Sequence, residues 1–259
     1  MYGCRVVQKA LETLGEEEQI EIVKRVENIS EKAVQDQNAN HVIQRIIEKV
    51  DKRNLKNFPI IFSRNAKELA THPYGCRVLQ RCFEYIGEEN SRDLIEELHK
   101  SVDNLVVDMF GNYVVQYLLE FGTNDDKHHI IIKVNQRFFE LSKHKFASNV
   151  CEKALMKAGE EDKEMLIKRL IDVPNLGDGE EDRCLNYGIP SLMKDQFGNY
   201  VLQRAINVVD HSQSSTLLNA IKIELDIIRK TNQFQNMSSQ TAKHVIAIER
   251  LLTQHESNE

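Results

Sequence analysis

Six short phrases in this chain bring together side chains able to read a flat, hydrogen-bonding ligand. They are Cys4-Arg5-Val6-Val7-Gln8, Asn40-His41-Val42-Ile43-Gln44, Cys76-Arg77-Val78-Leu79-Gln80, Asn112-Tyr113-Val114-Val115-Gln116, Ser148-Asn149-Val150-Cys151-Glu152 and Asn199-Tyr200-Val201-Leu202-Gln203. The first and fifth slots hold amides, a carboxylate or small polar groups: Cys4/Gln8, Asn40/Gln44, Cys76/Gln80, Asn112/Gln116, Ser148/Glu152 and Asn199/Gln203. An amide donates and accepts hydrogen bonds, whereas an ionised carboxylate only accepts. The second slot holds Arg5, His41, Arg77, Tyr113, Asn149 and Tyr200. All but Asn149 offer a flat face on which a ring can stack.

These slots match the edges of nucleobases. Among RNA bases, guanine alone presents two adjacent donors on its Watson–Crick edge, and the Glu152 carboxylate can accept both. Gln with Asn suits the alternating acceptor, donor, acceptor edge of uracil. Gln beside a small Cys leaves room that can suit adenine, a weaker inference. Reading such edges requires unpaired bases, hence single-stranded RNA. In one copy these would be ordinary surface polar residues. Six copies that vary only among chemically sensible options point to read-out.

The elements that must position the slots follow from periodicity. Laid on a helix at about 100° per residue, Val42, Ile43, Ile46, Ile47 and Val50 gather on one side. Asn40, His41, Gln44 and Glu48 gather on the other. The spacing predicts an amphipathic helix whose polar face presents slots one, two and five together, with Asn40 and Gln44 one turn apart. Upstream lies a second amphipathic stretch, such as Gln19 to Val26, and a short segment, such as Ile29 to Val34. First residues of successive phrases are 36, 36, 36, 36 and 51 residues apart. A fixed period of this size marks stacked helical repeats that bury their apolar faces against neighbours. The phrases are led by Tyr2-Gly3, Asn38-Ala39, Tyr74-Gly75, Phe110-Gly111, Phe146-Ala147 and Phe197-Gly198. The small residue is expected to allow close backbone approach, and the aromatic to pack.

The expected organisation is a single repeat domain over 1–259: a partial first repeat at about 1–14, then full repeats at about 15–51, 52–86, 87–122, 123–158 and 159–210. The 15 residues by which the last step exceeds the period fall around Pro174 to Pro190. Their Gly, Pro and acid content predicts an exposed loop at 174–190. Residues 211–259 are expected to form a capping half-repeat, in which Lys243 and Ala247 replace the read-out pair. The chain opens inside a repeat, which suggests an N-terminally truncated sequence, since a solenoid needs a terminal cap.

Composition narrows the class. With 41% hydrophobic and 29% charged residues, no Trp and four Pro, the chain suits a helical repeat protein. No apolar run reaches membrane-spanning length, and no signal peptide opens the chain. Five cysteines at irregular positions argue for free thiols in a reducing compartment, so a cytoplasmic setting is expected. A net charge of −6 argues, taken alone, against a polyanion ligand. Acidic runs at Glu16 to Glu18, Glu88-Glu89, Asp125-Asp126 and Glu160 to Asp162 stand apart from Arg5, Lys9, Arg45, Arg77, Arg81, Lys153 and Arg204, which lie in or just after the phrases. One face could therefore be basic; ordinary solvated charges are the alternative.

The phrases, their spacing and the aromatic-small lead-ins resemble the Pumilio/PUF family of RNA-binding repeats over essentially the whole chain. The resemblance implies an all-α fold: a right-handed, armadillo-like α-solenoid of three-helix repeats forming an arc, with RNA on its concave side. It also implies a base code in which Asn/Gln reads U, Cys or Ser with Gln reads A, and Ser/Glu reads G. Binding is antiparallel in the family, so Asn199/Gln203 would take the 5′ U, followed by G, U, A, U and A down to Cys4/Gln8. The implied element is 5′-UGUAUA-3′. The family usually has eight repeats, which implies two further read-out repeats before the first phrase.

An enzyme is disfavoured. No zinc-type Cys/His spacing or Gly-rich phosphate loop appears, and His128-His129 reads as surface on an outer helix. No metal or cofactor is expected. An armadillo- or HEAT-like protein-binding scaffold is the stronger rival, but a peptide reader has no need for amides in five slots and a carboxylate in one. The expected role is sequence-specific binding of mRNA 3′ untranslated regions for repression or decay by a monomer. The resemblance implies protein partners, deadenylase or translational machinery, on the convex face and the 174–190 loop.

Overall fold

The computed structural model describes residues 2–171, 188–209, 211–231 and 233–257. Among the described residues every regular element is helical. By its contacts the chain divides into two compact units, Met1–Ile130 and Ile131–Glu259.

The first unit opens with α1 (Tyr2–Thr13), followed by α2 (Glu16–Glu27), α3 (Ser30–Ala33) and α4 (Ala39–Lys49). The same long-short-long order recurs in α5 (Asn57–Ser63), α6 (Ala66–Ala70) and α7 (Gly75–Arg81), and in α8 (Arg92–His99), α9 (Val102–Leu105) and α10 (Gly111–Phe121). Helix α7 runs on through a π turn, Cys82–Ile86, and stops at Gly87, whose φ of 87° lies in the left-handed region that glycine adopts without a Cβ penalty. The division between the units falls within α11 (Asn124–Asn135).

The second unit continues with α12 (Phe138–Ser142), α13 (Ala147–Lys157), α14 (Glu160–Ile171), α15 (Gly188–Lys194) and α16 (Gly198–Val208). It closes with α17 (His211–Lys230) and α18 (Ser239–Ser257). Most of the loop expected at 174–190 lies outside the described residues. Its last three positions are helical, opening α15, where Pro190 sits in the first turn and its missing N–H costs no bond.

The phrases occupy α1, α4, α7, α10, α13 and α16, hereafter the inner helices. In the first unit α1 packs on α4, α4 on α7 and α7 on α10; in the second, α13 packs on α16 and α16 on α18. The apolar slots bind these stacks. Val42, Ile43, Ile46 and Ile47 of α4 are buried, as are Val114, Val115, Leu118 and Leu119 of α10 and Val201, Leu202, Ala205 and Ile206 of α16. The acidic runs at Glu16 to Glu18, Asp125-Asp126 and Glu160 to Asp162 fall in the first turns of α2, α11 and α14. There they face the positive end of the helix dipole, a local reason for their position.

The lead-in glycines do allow close approach. A Cβ on Gly75 would lie 2.5 Å from the Leu69 carbonyl oxygen, and one on Gly111 would lie 2.9 Å from that of Leu105. Helices α7 and α10 are thus pressed against α6 and α9, the short helices before them. Gly3, with no short helix ahead of it, would meet nothing within 4 Å.

Candidate nucleic-acid interface

The slots sort by depth. Slot one is buried: Asn40 and Asn199 are 0% exposed, Asn112 1%, Cys76 3% and Ser148 5%. Cys4 is half-buried. Slot two is on the surface, with Tyr113 and Tyr200 each 53% exposed and Arg5, His41, Arg77 and Asn149 also exposed. Slot five is half-buried in every copy: Gln8, Gln44, Gln80, Gln116, Glu152 and Gln203. The expectation that slot one shares the exposed polar face therefore needs correction. Slot one lies in the first helical turn, where the side chains of Asn40, Cys76, Asn112 and Asn199 bond back to the turn that precedes the helix.

Those bonds set the slot-five amides in the three Asn copies. Asn40 Nδ2 donates to the Asp36 carbonyl at 2.8 Å, Asn112 Nδ2 to that of Asp108 at 2.9 Å and Asn199 Nδ2 to that of Asp195 at 2.8 Å. Each Asn Oδ1 accepts from Nε2 of the slot-five glutamine: Gln44 at 2.8 Å, Gln116 at 3.0 Å and Gln203 at 3.0 Å. The buried amide is satisfied. The glutamine is left with its oxygen and one N–H to offer a ligand. In the third copy the Cys76 thiol points back to the Pro73 carbonyl, at 3.6 Å. Burial pushes that thiol up, against the opposing charge of Arg77, so it stands as a weak donor rather than a nucleophile.

A second periodic set escaped the sequence reading. Four residues before slot one stand Asp36, His72, Asp108, His144 and Asp195. Each caps its inner helix by accepting from two backbone N–H groups. Asp108 Oδ1 receives Phe110 N at 2.8 Å and Gly111 N at 2.7 Å, and Asp36 and Asp195 repeat the pattern. His72 Nδ1 receives Tyr74 N and Gly75 N, both at 3.2 Å, and His144 Nδ1 receives Phe146 N and Ala147 N. The aromatic of the lead-in packs on the capping imidazole: the His72 and Tyr74 rings are 5.5 Å apart, and those of His144 and Phe146 5.9 Å. Their one signal in the sequence is that they share the period of the phrases.

Of the two readings of the cations in and after the phrases, the solvated-charge one is borne out by several that pair with acids. Lys9 pairs with Glu12 at 3.1 Å, and Arg45 with Glu48 at 3.3 Å and Glu12 at 3.9 Å. Arg81 lies 3.0 Å from Glu48 and 2.6 Å from Glu84. The result is a ladder of alternating charge along α1, α4 and α7, because Glu12, Glu48 and Glu84 stand eight residues after slot one on the same helices. In the second unit Arg204 lies 3.7 Å from Glu152. Burial raises the Glu152 carboxyl above its ordinary value, and the Arg204 charge pulls it back.

On α18, Lys243 is exposed and the half-buried His244 ring lies 6.2 Å from that of Tyr200. His244 thus places a further ring beside the second slot of α16. On α11, His129 is exposed as expected, but its ring packs 4.5 Å from that of His99. His99 in turn contacts the buried Asp126 at 2.8 Å. Among the described residues no group of three His, Cys, Asp or Glu side chains is placed to hold a metal ion. No described helix is long and apolar enough to cross a membrane.

The sequence model of the family described as "Pumilio-family RNA binding repeat" matches residues 1–26, 34–55, 65–99, 101–134, 137–171 and 188–222. Pumilio homolog 12 of Arabidopsis thaliana is 32% identical over 236 residues, covering 90% of this chain and 37% of that protein. Among solved structures, PUF-8 in complex with PBE-RNA superposes with a TM-score of 0.83 at 31% identity, covering 97% of this chain and 69% of that one. The Puf3 RNA-binding domain bound to a Cox17 RNA 3′ UTR recognition sequence gives a TM-score of 0.79 at 32% identity, covering 97% of this chain and 71% of that one. The chain spans well under half the length of the curated relatives it matches.

Proposed function

From the premise that this chain belongs to the Pumilio family of RNA-binding repeat proteins, we propose that it binds single-stranded RNA sequence-specifically, one base per inner helix. The observation that carries this reading is the recurring depth order: a buried anchor, an exposed stacking residue and a half-buried, pre-oriented edge reader. Bases stack on Tyr113, Tyr200, His41, Arg77 and Arg5, while the slot-five side chains meet their Watson–Crick edges. Pre-orientation favours affinity because the amide loses little freedom on binding.

With the family's base code, the six copies read 5′-UGUAUA-3′ from Asn199/Gln203 back to Cys4/Gln8. The burial of slot one makes Asn, Cys and Ser act in part through the slot-five residue they support. Cys76 leaves Gln80 without the amide partner that Gln44, Gln116 and Gln203 possess, which allows a different amide orientation and hence a different base. The targets are mRNA 3′ untranslated regions in the cytoplasm. The outcome is repression or decay through proteins recruited by a monomeric chain that performs no catalytic step itself.

Selection of bound RNA from a random pool tests the proposal. Enrichment of UGUA-containing sequences is expected, and recovery of unrelated or unenriched sequences would overturn it.

A further inference from the structure

The copy that carries a carboxylate differs from its neighbours in more than slot five. In the first unit, the arginine in slot six reaches back to the acid eight residues after slot one of the preceding copy: Arg45 to Glu12 at 3.9 Å and Arg81 to Glu48 at 3.0 Å. On α13 that acid position is Met156, 46% exposed and uncharged. The slot-six arginine of the following copy, Arg204 on α16, instead lies 3.7 Å from Glu152, one turn nearer the start of α13. The acid has in effect moved from the ladder position to the reading position, and the cross-repeat arginine has followed it.

We propose that Arg204 is a positioning residue for base selection by Glu152, and that the apolar Met156 is what leaves Arg204 committed to that task. The proposal rests on the reading of Glu152 as the acceptor for a guanine edge. An arginine fork beside one carboxylate oxygen limits the rotamers of the side chain and keeps its acceptor character. It does so from the next repeat, so the identity of one base depends on two consecutive inner helices.

The electrostatics agree with the geometry. Burial pushes the Glu152 carboxyl up, and Arg204 opposes that shift. Of the charged groups described on α12 and α16, which pack against α13, Arg204 is the one that acts on Glu152. On its own helix Cys151 adjoins it, a buried thiol held far above the ordinary range by desolvation. Removing Arg204 leaves burial unopposed. Glu152 then protonates at higher pH and loses one acceptor site.

The test compares wild type, Arg204→Gln, Arg204→Lys and Met156→Glu for binding to RNAs containing 5′-UGUAUA-3′ or 5′-UAUAUA-3′, between about pH 5 and pH 8. Wild type should prefer the guanine RNA throughout the upper range. Arg204→Gln should lose roughly tenfold of that preference, with the deficit widening as pH falls, and Arg204→Lys should restore part of it. Met156→Glu should draw Arg204 to the ladder position and reproduce the deficit with the arginine still present. Equal loss for both RNAs with parallel pH profiles would make Arg204 a phosphate contact and overturn the proposal. So would unchanged selectivity in Arg204→Gln or Met156→Glu. A wild-type protein with no guanine preference would instead remove the reading of Glu152 beneath it.

Discussion

Asn112 accepts a hydrogen bond from Gln116 one turn along α10, Nε2 to Oδ1 at 3.0 Å, while its own Nδ2 donates to the Asp108 and Met109 carbonyls at 2.9 and 3.1 Å. The buried residue is bonded at both its nitrogen and its oxygen, and its half-buried partner takes its orientation from it. Under the proposed function, recognition at this position depends on a side chain that is 1% exposed.

Replacing Asn112 tests that dependence. Asn112→Ala leaves Gln116 unheld, so selectivity at the third base of the element should fall along with affinity, by about 1–3 kcal/mol. Binding assays with each of the four bases at that position measure it. An unchanged base preference would mean that Gln116 orients without help.

Tyr113 should behave differently. It is 53% exposed and has a face to offer rather than an edge. Tyr113→Ala should weaken binding by about 1–3 kcal/mol, the worth of one stacked base, with the base preference retained. A shift in preference of similar size would assign Tyr113 to edge reading.

Two lead-in glycines make an internally controlled stability test. Gly75→Ala drives a methyl to 2.5 Å from the Leu69 carbonyl oxygen, a backbone atom that cannot swing aside. It should destabilise by about 1–3 kcal/mol through overpacking. Gly3→Ala enters open space in α1 and should be neutral or mildly stabilising, since Ala is the better helix former. Urea unfolding midpoints of the two variants decide it.

Asp126 ties α11 to α8. It is 3% exposed and accepts from Arg92 Nη1 and Nη2 at 3.0 and 2.6 Å, from His99 at 2.8 Å and from Thr123 Oγ1 at 2.8 Å. Burial works against ionisation, but the hydrogen bonds from Arg92, His99 and Thr123 outweigh it and hold the carboxyl well below its ordinary range. A depressed folded-state value means stability that is complete above the unfolded value of about 4 and is lost as pH falls further. Asp126→Asn should cost about 3 kcal/mol near neutrality and flatten that acid limb. Urea unfolding of both proteins from about pH 7 down to pH 3 measures both effects.

How far the sequence predicts this molecule depends on whether a feature repeats. Val42, Ile43, Ile46 and Ile47 betrayed α4 by their period, and the glycine of Tyr74-Gly75 betrayed the close approach to Leu69. The slots were visible for the same reason. Their depth was not: a helical wheel puts Asn40 beside Gln44 on the polar side, but it omits the preceding turn, whose Asp36 carbonyl draws Asn40 inward. The capping series from Asp36 to Asp195 was periodic too, yet an Asp or His ahead of a helix reads as an ordinary loop residue until its bonds are seen. The charge ladder is hidden in the sequence because Arg45 and Arg81 pair with Glu12 and Glu48 of the preceding copies, across neighbouring helices. Arg92 and Asp126 are 34 residues apart and occur once, so no repetition announces them.

The measurement that bears most directly on the account is the affinity of wild type and Glu152→Gln for RNAs differing only in G or A at the second base of 5′-UGUAUA-3′. A carboxylate accepts both guanine donors, whereas the amide turns one acceptor into a donor. Wild type should prefer G by about 1–3 kcal/mol, and Glu152→Gln should lose most of that preference. Equal binding of G and A by wild type, or a G preference that survives the substitution, would contradict the account.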